Sequence, residues 1–281
     1  MAIEATWSNH AKFQLASGLI DFDADVFKII LMNDTFAFDK DAHATLADVA
    51  ADQLATANGY TRNDKTLAGV AVTEDDVNDR ANVAWDNVTW TASGGSIGPS
   101  GAAIILAWNA LDAAEFFTTA IDRTFTGGAT HWANGDIGTT FDETTDLSLV
   151  ASVIGQYCSI PFTDIGAALV AGGRYRLTYD YAETTAGFEF KINGVALQVL
   201  GDAVPGTAQT IDFIADESFA GAHELRIYSK TNAAAAGDFD NFSLKQLGTV
   251  VGCIDFGTDY TITDGTSLQL QDIAARLQDV A

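Results

Sequence analysis

AAIILAW at residues 102–108 and VVGCIDFG at residues 250–257 are the two stretches that decide the fold. Each is a short apolar run bounded by turn residues, and both read as strands of one domain. The segment between them has a different texture. From Glu115 to Leu247 short alternating strands recur at regular spacing with turn residues between, the pattern of an all-β sandwich. The chain therefore reads as a host domain interrupted by a guest: residues 1–112 and 248–281 make the host, and residues 113–247 the insert. The expected fold class is mainly β, a β-rich host with two short helices carrying an inserted jelly-roll β-sandwich. At 281 residues and 29.7 kDa, each of two domains has room to bury a core.

Within the insert, Tyr175, Leu177, Tyr179 and Tyr181 alternate with Arg174, Arg176, Thr178 and Asp180, which places one row on the core and the other on solvent. Phe188, Phe190 and Ile192 do the same. Asn193-Gly194 then leads into Val195, Leu197 and Val199, which predicts a hairpin with a type I′ turn. Further strands are expected over Thr210–Ile214, Glu224–Ser229 and Asp238–Lys245, and earlier around Phe125, Phe141, Leu147–Val153 and Tyr157–Phe162. They suffice for two packed sheets.

In the host, Trp7, Ala11 and Leu15 share one face of a short helix closed by Gly18, and Ala24–Met32 reads as a strand. Leu46, Val49, Ala50 and Leu54 predict a second short helix stopped at Asn58-Gly59. Strands are expected over Thr66–Val72 and over Arg80–Thr91, the latter kinked at Asp86-Asn87. GGSIGPSG, residues 94–101, then turns the chain into the AAIILAW strand. After Gly248 two strands turn at Asp264-Gly265. The closing DIAARLQDVA predicts either a short helix capped by Asp272 or a tail that docks on a neighbour.

Charge narrows the partners. With 14 Lys+Arg against 38 Asp+Glu the formal net charge is -24, so nucleic acid and anionic membrane would be repelled. No run approaches the length of a membrane span, no basic region followed by an apolar stretch opens the chain, and the expectation is a soluble protein made in the cytosol. Cys158 and Cys253 fall in different domains and lack metal-site spacing, which predicts buried thiols. Asp21, Asp23 and Asp25 have the spacing that opens an EF-hand loop, but Val26 and Met32 stand where that loop needs Gly and Glu. Gly94-x-Ser96-x-Gly98 matches the nucleophile-elbow pattern, yet an apolar strand follows where the elbow needs a helix. His10, His43, His131 and His223 form no metal-site spacing, and no phosphate-binding or dinucleotide fingerprint appears. An acid pair among so many carboxylates carries no meaning without three-dimensional separations. A chain without catalysis and without a cofactor is expected, a glycan hydrolase being the enzyme alternative.

Two resemblances add to this. The opening Phe116–Trp132 and the closing DFDNFS, residues 238–243, resemble the first and last strands of carbohydrate-binding-module-like jelly rolls, with Phe242 where those domains carry an aliphatic residue. That resemblance implies a structural calcium held by Glu115 and Asp240 with Asp238. Among aromatic residues suited to stacking on a sugar, Trp132 in THWANGD is the best placed, ahead of Tyr157, Tyr179 and Tyr181, the last two lying on the apolar row. The host stretches GLIDFDADVFKIILMND, GGSIGPSGAAIIL and VVGCIDFGTDYTITDGTSLQLQ, in that order, resemble a family of small tailed-phage virion proteins. This implies a capsid decoration (cement) or head-fibre protein on the outer surface of the virion. Its partners would be the major capsid protein and copies of itself in a homotrimer, with the sandwich projecting outward toward host-surface glycans. A tail or neck position, or a free carbohydrate-binding module, are the alternatives.

Overall fold

The computed structural model describes residues 3–112, 114–125, 128, 131–138, 140–185, 187–230 and 234–278. The fold is mainly β, with four short α-helices and one 3-10 turn among the described residues. The chain divides into two compact units, one made of Met1–Leu111 and Leu247–Ala281, the other of Asp112–Gln246. The backbone amide of Asp112 donates to the carbonyl of Gln246 at 2.9 Å, so the two ends of the second unit lie side by side.

In the first unit the two quoted stretches pair with each other. The strand Ile97–Leu111 lies between Phe27–Asn33 on one side and, on the other, residues 249–262 of the strand Ala236–Ile262, with Ile104 opposite both Ile30 and Cys253. Its two faces are both covered, which is why the run has no polar alternation. Ala103, Ile105 and Ala107 face a core shared with Ile29, Leu31, Val251 and Ala11 of the helix Asn9–Ala16. Ile104 and Leu106 face a second core closed by Leu46 and Val49 of the helix Leu46–Val49. Ser8 caps the first helix, its Oγ accepting from the Ala11 amide at 2.9 Å, and Trp7 belongs to the preceding strand Ile3–Trp7. The second helix is one turn long and continues only as a 3-10 turn, Ala50–Asp52.

The expected Thr66–Val72 strand is split into Thr66–Leu67 and Ala71–Asp75 around Gly69, whose φ is +63° and where a Cβ would sit 2.4 Å from the Asp86 carboxyl. The expected Arg80–Thr91 strand breaks at Trp85–Asn87 into Arg80–Ala84 and Val88–Thr91.

The end of the chain departs most from expectation. Neither the helix capped by Asp272 nor a docking tail is found, because Ile273–Gln278 is a strand. It runs parallel to Ile3–Trp7, with Ala275 opposite Ala5, and antiparallel to Arg80–Ala84, with Ala275 opposite Val83. The local sequence favours a helix, but two unsatisfied strand edges and a core that takes Ile273 and Ala275 outweigh that propensity.

The second unit is a sandwich of two sheets. One sheet has the order Leu197–Asp202, Phe188–Asn193, Glu224–Ser229, Tyr157–Pro161, Ala133–Asn134. The other runs Thr140–Asp142, Leu147–Val150, the first part of Ala236–Ile262, Arg174–Thr185, Gly206–Ile214. Tyr175, Leu177, Tyr179 and Tyr181 from one sheet and Phe188, Phe190, Ile192, Leu225 and Ile227 from the other meet in one aromatic-rich core centred on Phe239.

Two local expectations fail here. Among the described residues no strand forms around Phe125, which closes the helix Ile121–Thr124 in a left-handed conformation with φ 49°. The hairpin after Ile192 is also not a two-residue turn, since Asn193 pairs with Leu197 and the loop is Gly194-Val195-Ala196. This register turns Val195, Leu197 and Val199 toward solvent and Gln198 inward, where its Nε2 donates to the Ile214 carbonyl at 2.6 Å.

Candidate functional site

Alternation along three adjacent strands of the sheet that begins at Leu197–Asp202 builds its outer face. Glu224, Arg226 and Tyr228 point away from the core because Leu225 and Ile227 point into it, and Glu189 and Lys191 do so because Phe188, Phe190 and Ile192 fill it. Tyr157 stands opposite Tyr228 on the next strand.

These side chains form one ordered row. The Tyr157 and Tyr228 rings stack with centroids 5.1 Å apart, the Arg226 guanidinium lies 4.1 Å from the Tyr157 centroid, and the Lys191 ammonium lies 4.5 Å from that of Tyr228. Arg226 Nη1 donates to the Tyr228 hydroxyl at 2.8 Å and its Nε to Glu224 Oε2 at 2.7 Å. Burial alone would lower the Arg226 pKa, but the bonds to Tyr228 and Glu224 outweigh it and hold the guanidinium charged above its ordinary value. Lys191 is anchored by Glu189 at 2.6 Å, and Lys230 by Asp202 at 2.5 Å. Each cation thus has a carboxylate, which leaves the row near neutral on a chain of net charge -24. Beside it the exposed Leu197 and Val199 add apolar surface. The arrangement offers aromatic edges, fixed N–H and O–H donors and carboxylate acceptors whose side chains are already ordered, so little rotamer entropy is lost when a polyhydroxylated ligand binds.

Of the four aromatic residues proposed from sequence, only Tyr157 stands on this surface. Trp132 is 4% exposed, its indole N–H donates to the Asp122 carbonyl at 2.9 Å, and its ring packs 5.1 Å from Phe242, so it is a core residue and not a sugar platform. Tyr179 and Tyr181 are core as well. Tyr228 was absent from the sequence-based set. Its signal lay in the alternation of Glu224–Ser229, which puts it on the solvent row.

The three calcium candidates are not brought together. Glu115 is occupied by its own neighbours: its Oε1 accepts from the amides of Leu244 at 2.8 Å and Phe117 at 3.1 Å, and its Oε2 from the Ser243 hydroxyl at 2.5 Å. Asp238 takes the Ser148 hydroxyl at 2.5 Å and lines one cleft with Asp240, Asp146 and Asp180, whereas Glu115 is not among the residues that line it. Among the described residues no group of three or more His, Cys, Asp or Glu is placed to hold a metal ion.

Other sequence motifs find structural roles. Ser96 of the elbow-like pattern leads directly into the strand Ile97–Leu111, so the strand-to-helix turn that exposes a nucleophile is not formed. Cys158 and Cys253 are free and buried, and burial pushes the Cys253 thiol up to about 12 and Cys158 further in the same direction.

A second polar cluster sits under the insert's opening loop. Asp122, 1% exposed, accepts from His131 Nδ1 at 2.6 Å and from the His131 amide at 3.1 Å. The hydrogen bond to Asp122 raises the His131 pKa, and burial, followed by the charges of Asp122 and Asp142, raises that of Glu143. In both cases the folded state holds protons more tightly than the unfolded chain. The stability they contribute is complete below the unfolded values and lost as pH rises through the folded ones. The insert is therefore expected to melt lower at pH 8 than at pH 6. In His131→Gln that difference should shrink, as denaturant titrations at the two pH values will show.

No protein-family model and no curated protein matches the chain. Among solved structures it is similar to the N-terminal cellulose-binding domain of β-1,4-glucanase C from Cellulomonas fimi, at 17% identity over 48% of this chain and 94% of that one, with a TM-score of 0.29. At that score the likeness is weak, and the chemistry of the outer face rests on its own geometry.

Proposed function

We propose that this chain is a non-enzymatic structural protein of a tailed-phage virion, a capsid decoration or head-fibre protein. Its inserted sandwich contacts host-surface glycans through the face that carries Tyr157, Tyr228, Arg226 and Lys191. The observation that carries the glycan part is the pre-ordered aromatic and charged row on an open sheet face, whose donors and acceptors suit sugar hydroxyls. The virion part rests on the resemblance of the host stretches to small phage proteins. It is supported by the adjacency of Asp112 and Gln246, which lets a folded unit be carried at one point of another without distorting either. The host unit then seats on the major capsid protein, and copies associate as a homotrimer.

Affinity electrophoresis of the full chain through gels containing soluble glycans of the bacterial host tests the face. Tyr157→Ala/Tyr228→Ala should weaken retardation by about tenfold or more, about 1.4 kcal/mol, while Trp132→Phe should leave it unchanged. Equal retardation of wild type and the double variant rejects the face. Immunogold labelling of phage particles with antibody to residues 113–247 tests the setting. Even label over heads supports decoration, label at one vertex favours tail or neck, and particles without the chain leave a free glycan-binding module.

A further inference from the structure

The two tyrosines of the outer face stand on edge. Tyr157 begins a strand that lies between Ala133–Asn134 and Glu224–Ser229, so its ring has a neighbour on either side. A Cβ added at Gly135 would sit 2.3 Å from Tyr157 Cε2 and 2.7 Å from both Cδ2 and Cζ, a position above the ring plane and not beside its rim. The Gly135 backbone therefore covers one face of Tyr157, and Tyr228 with Arg226 covers the other. Tyr228 is covered in turn by Tyr157 and, from the strand on its far side, by Lys191. Neither ring presents a free face on which a flat sugar could stack.

What remains for a ligand is a group of donors beside apolar surface. The Tyr228 oxygen accepts from Arg226, so its own O–H is left to donate. Lys191 carries three N–H groups, and Glu189 holds the ammonium at 2.6 Å from one side only. Across the strand pair from Lys191 stands Val199, with Leu197 two residues along, 57% and 45% exposed.

Donors next to a small apolar patch complement an acyl group, whose carbonyl oxygen accepts and whose methyl is removed from water. Being neutral, such a group also avoids the repulsion that a carboxylate- or phosphate-bearing glycan would meet on a chain of net charge -24.

We infer that the glycans taken by this face are N-acetylated. The acetamido carbonyl accepts from Lys191 and the Tyr228 hydroxyl, and its methyl packs on Val199 and Leu197. This rests on the glycan reading of the face and names the ligand class.

Isothermal titration of the full chain with chitotetraose and cellotetraose tests it, because the two share a β-1,4 backbone and differ in the acetamido group. Chitotetraose is expected to bind at least tenfold more tightly. Val199→Ser, at an exposed position, should cut that preference severalfold while the melting of the insert stays as in wild type. Equal binding of the two tetraoses, lost in Tyr157→Ala/Tyr228→Ala, would overturn the acetamido inference and leave the glycan face standing. So would retardation by host glycans with no heat from chitotetraose. A full chain that binds neither tetraose nor any host glycan would reject the inference and the glycan face together.

Discussion

A chain ending at Gln271 is expected to lose the cooperative unfolding transition of its host unit while the inserted sandwich still melts. The segment removed contains Ile273–Gln278, which lies between Ile3–Trp7 and Arg80–Ala84 and hydrogen-bonds to both. Without it two strands lose their ladder partner at once, each lost bond costing about 0.5–1.5 kcal/mol net. Ile273 and Ala275, both fully buried, leave a cavity under Val83 and Ala5, and an isoleucine-sized void alone costs about 2–5 kcal/mol. Together these exceed about 5 kcal/mol, the lower end of a domain's whole stability. Calorimetry of the truncated chain should show one transition in place of two. A tail docked on a neighbouring molecule would make the same truncation nearly neutral, so two surviving transitions would sink the strand assignment.

Phe239→Ala should lower the stability of the insert by about 3–5 kcal/mol without moving the host transition. Phe239 is fully buried, stacks on Tyr181 at 4.3 Å between ring centroids, and meets Phe188 and Phe190 edge-on at 5.6 and 5.8 Å. It thus joins the two sheets through their side chains, and truncation leaves a cavity that flat rings cannot close. Its core shares no residue with the host cores, which confines the effect to one unit. The check is the denaturant midpoint of each transition. Phe239→Leu, which keeps most of the volume, should cost less than half as much.

Legibility in the sequence followed the range of the forces involved. Alternation made Arg174–Thr185 and Glu224–Ser229 readable, since a two-residue period is a local property and the core side follows from which row is apolar. The same rule read to its end identifies Tyr228 as surface. It misleads after Ile192, where Asn193-Gly194 has the composition of a tight turn. The register is instead set by Lys191 pairing with Val199 and by Gln198 reaching the Ile214 carbonyl, contacts that no local pattern encodes. Trp132 looked exposed because THWANGD is a loop by composition. Its ring is drawn inward by Phe125 and Phe242, the second of them 110 residues downstream.

By itself the sequence determined the class of the fold, the two apolar stretches that pair across the insertion, the outward and inward rows of the long strands, and a net charge of -24. These depend on periodicity and composition, which every residue carries locally. Only the tertiary structure decided that Ile273–Gln278 is a strand, that Glu115 is bonded to Ser243 and Leu244, and that Tyr157, Tyr228, Arg226 and Lys191 form one row. It also decided that Asp146, Asp180, Asp238 and Asp240 share one cleft. Each of these joins residues from strands far apart in the chain, where the free energy of the contact comes from partners that no stretch of sequence contains.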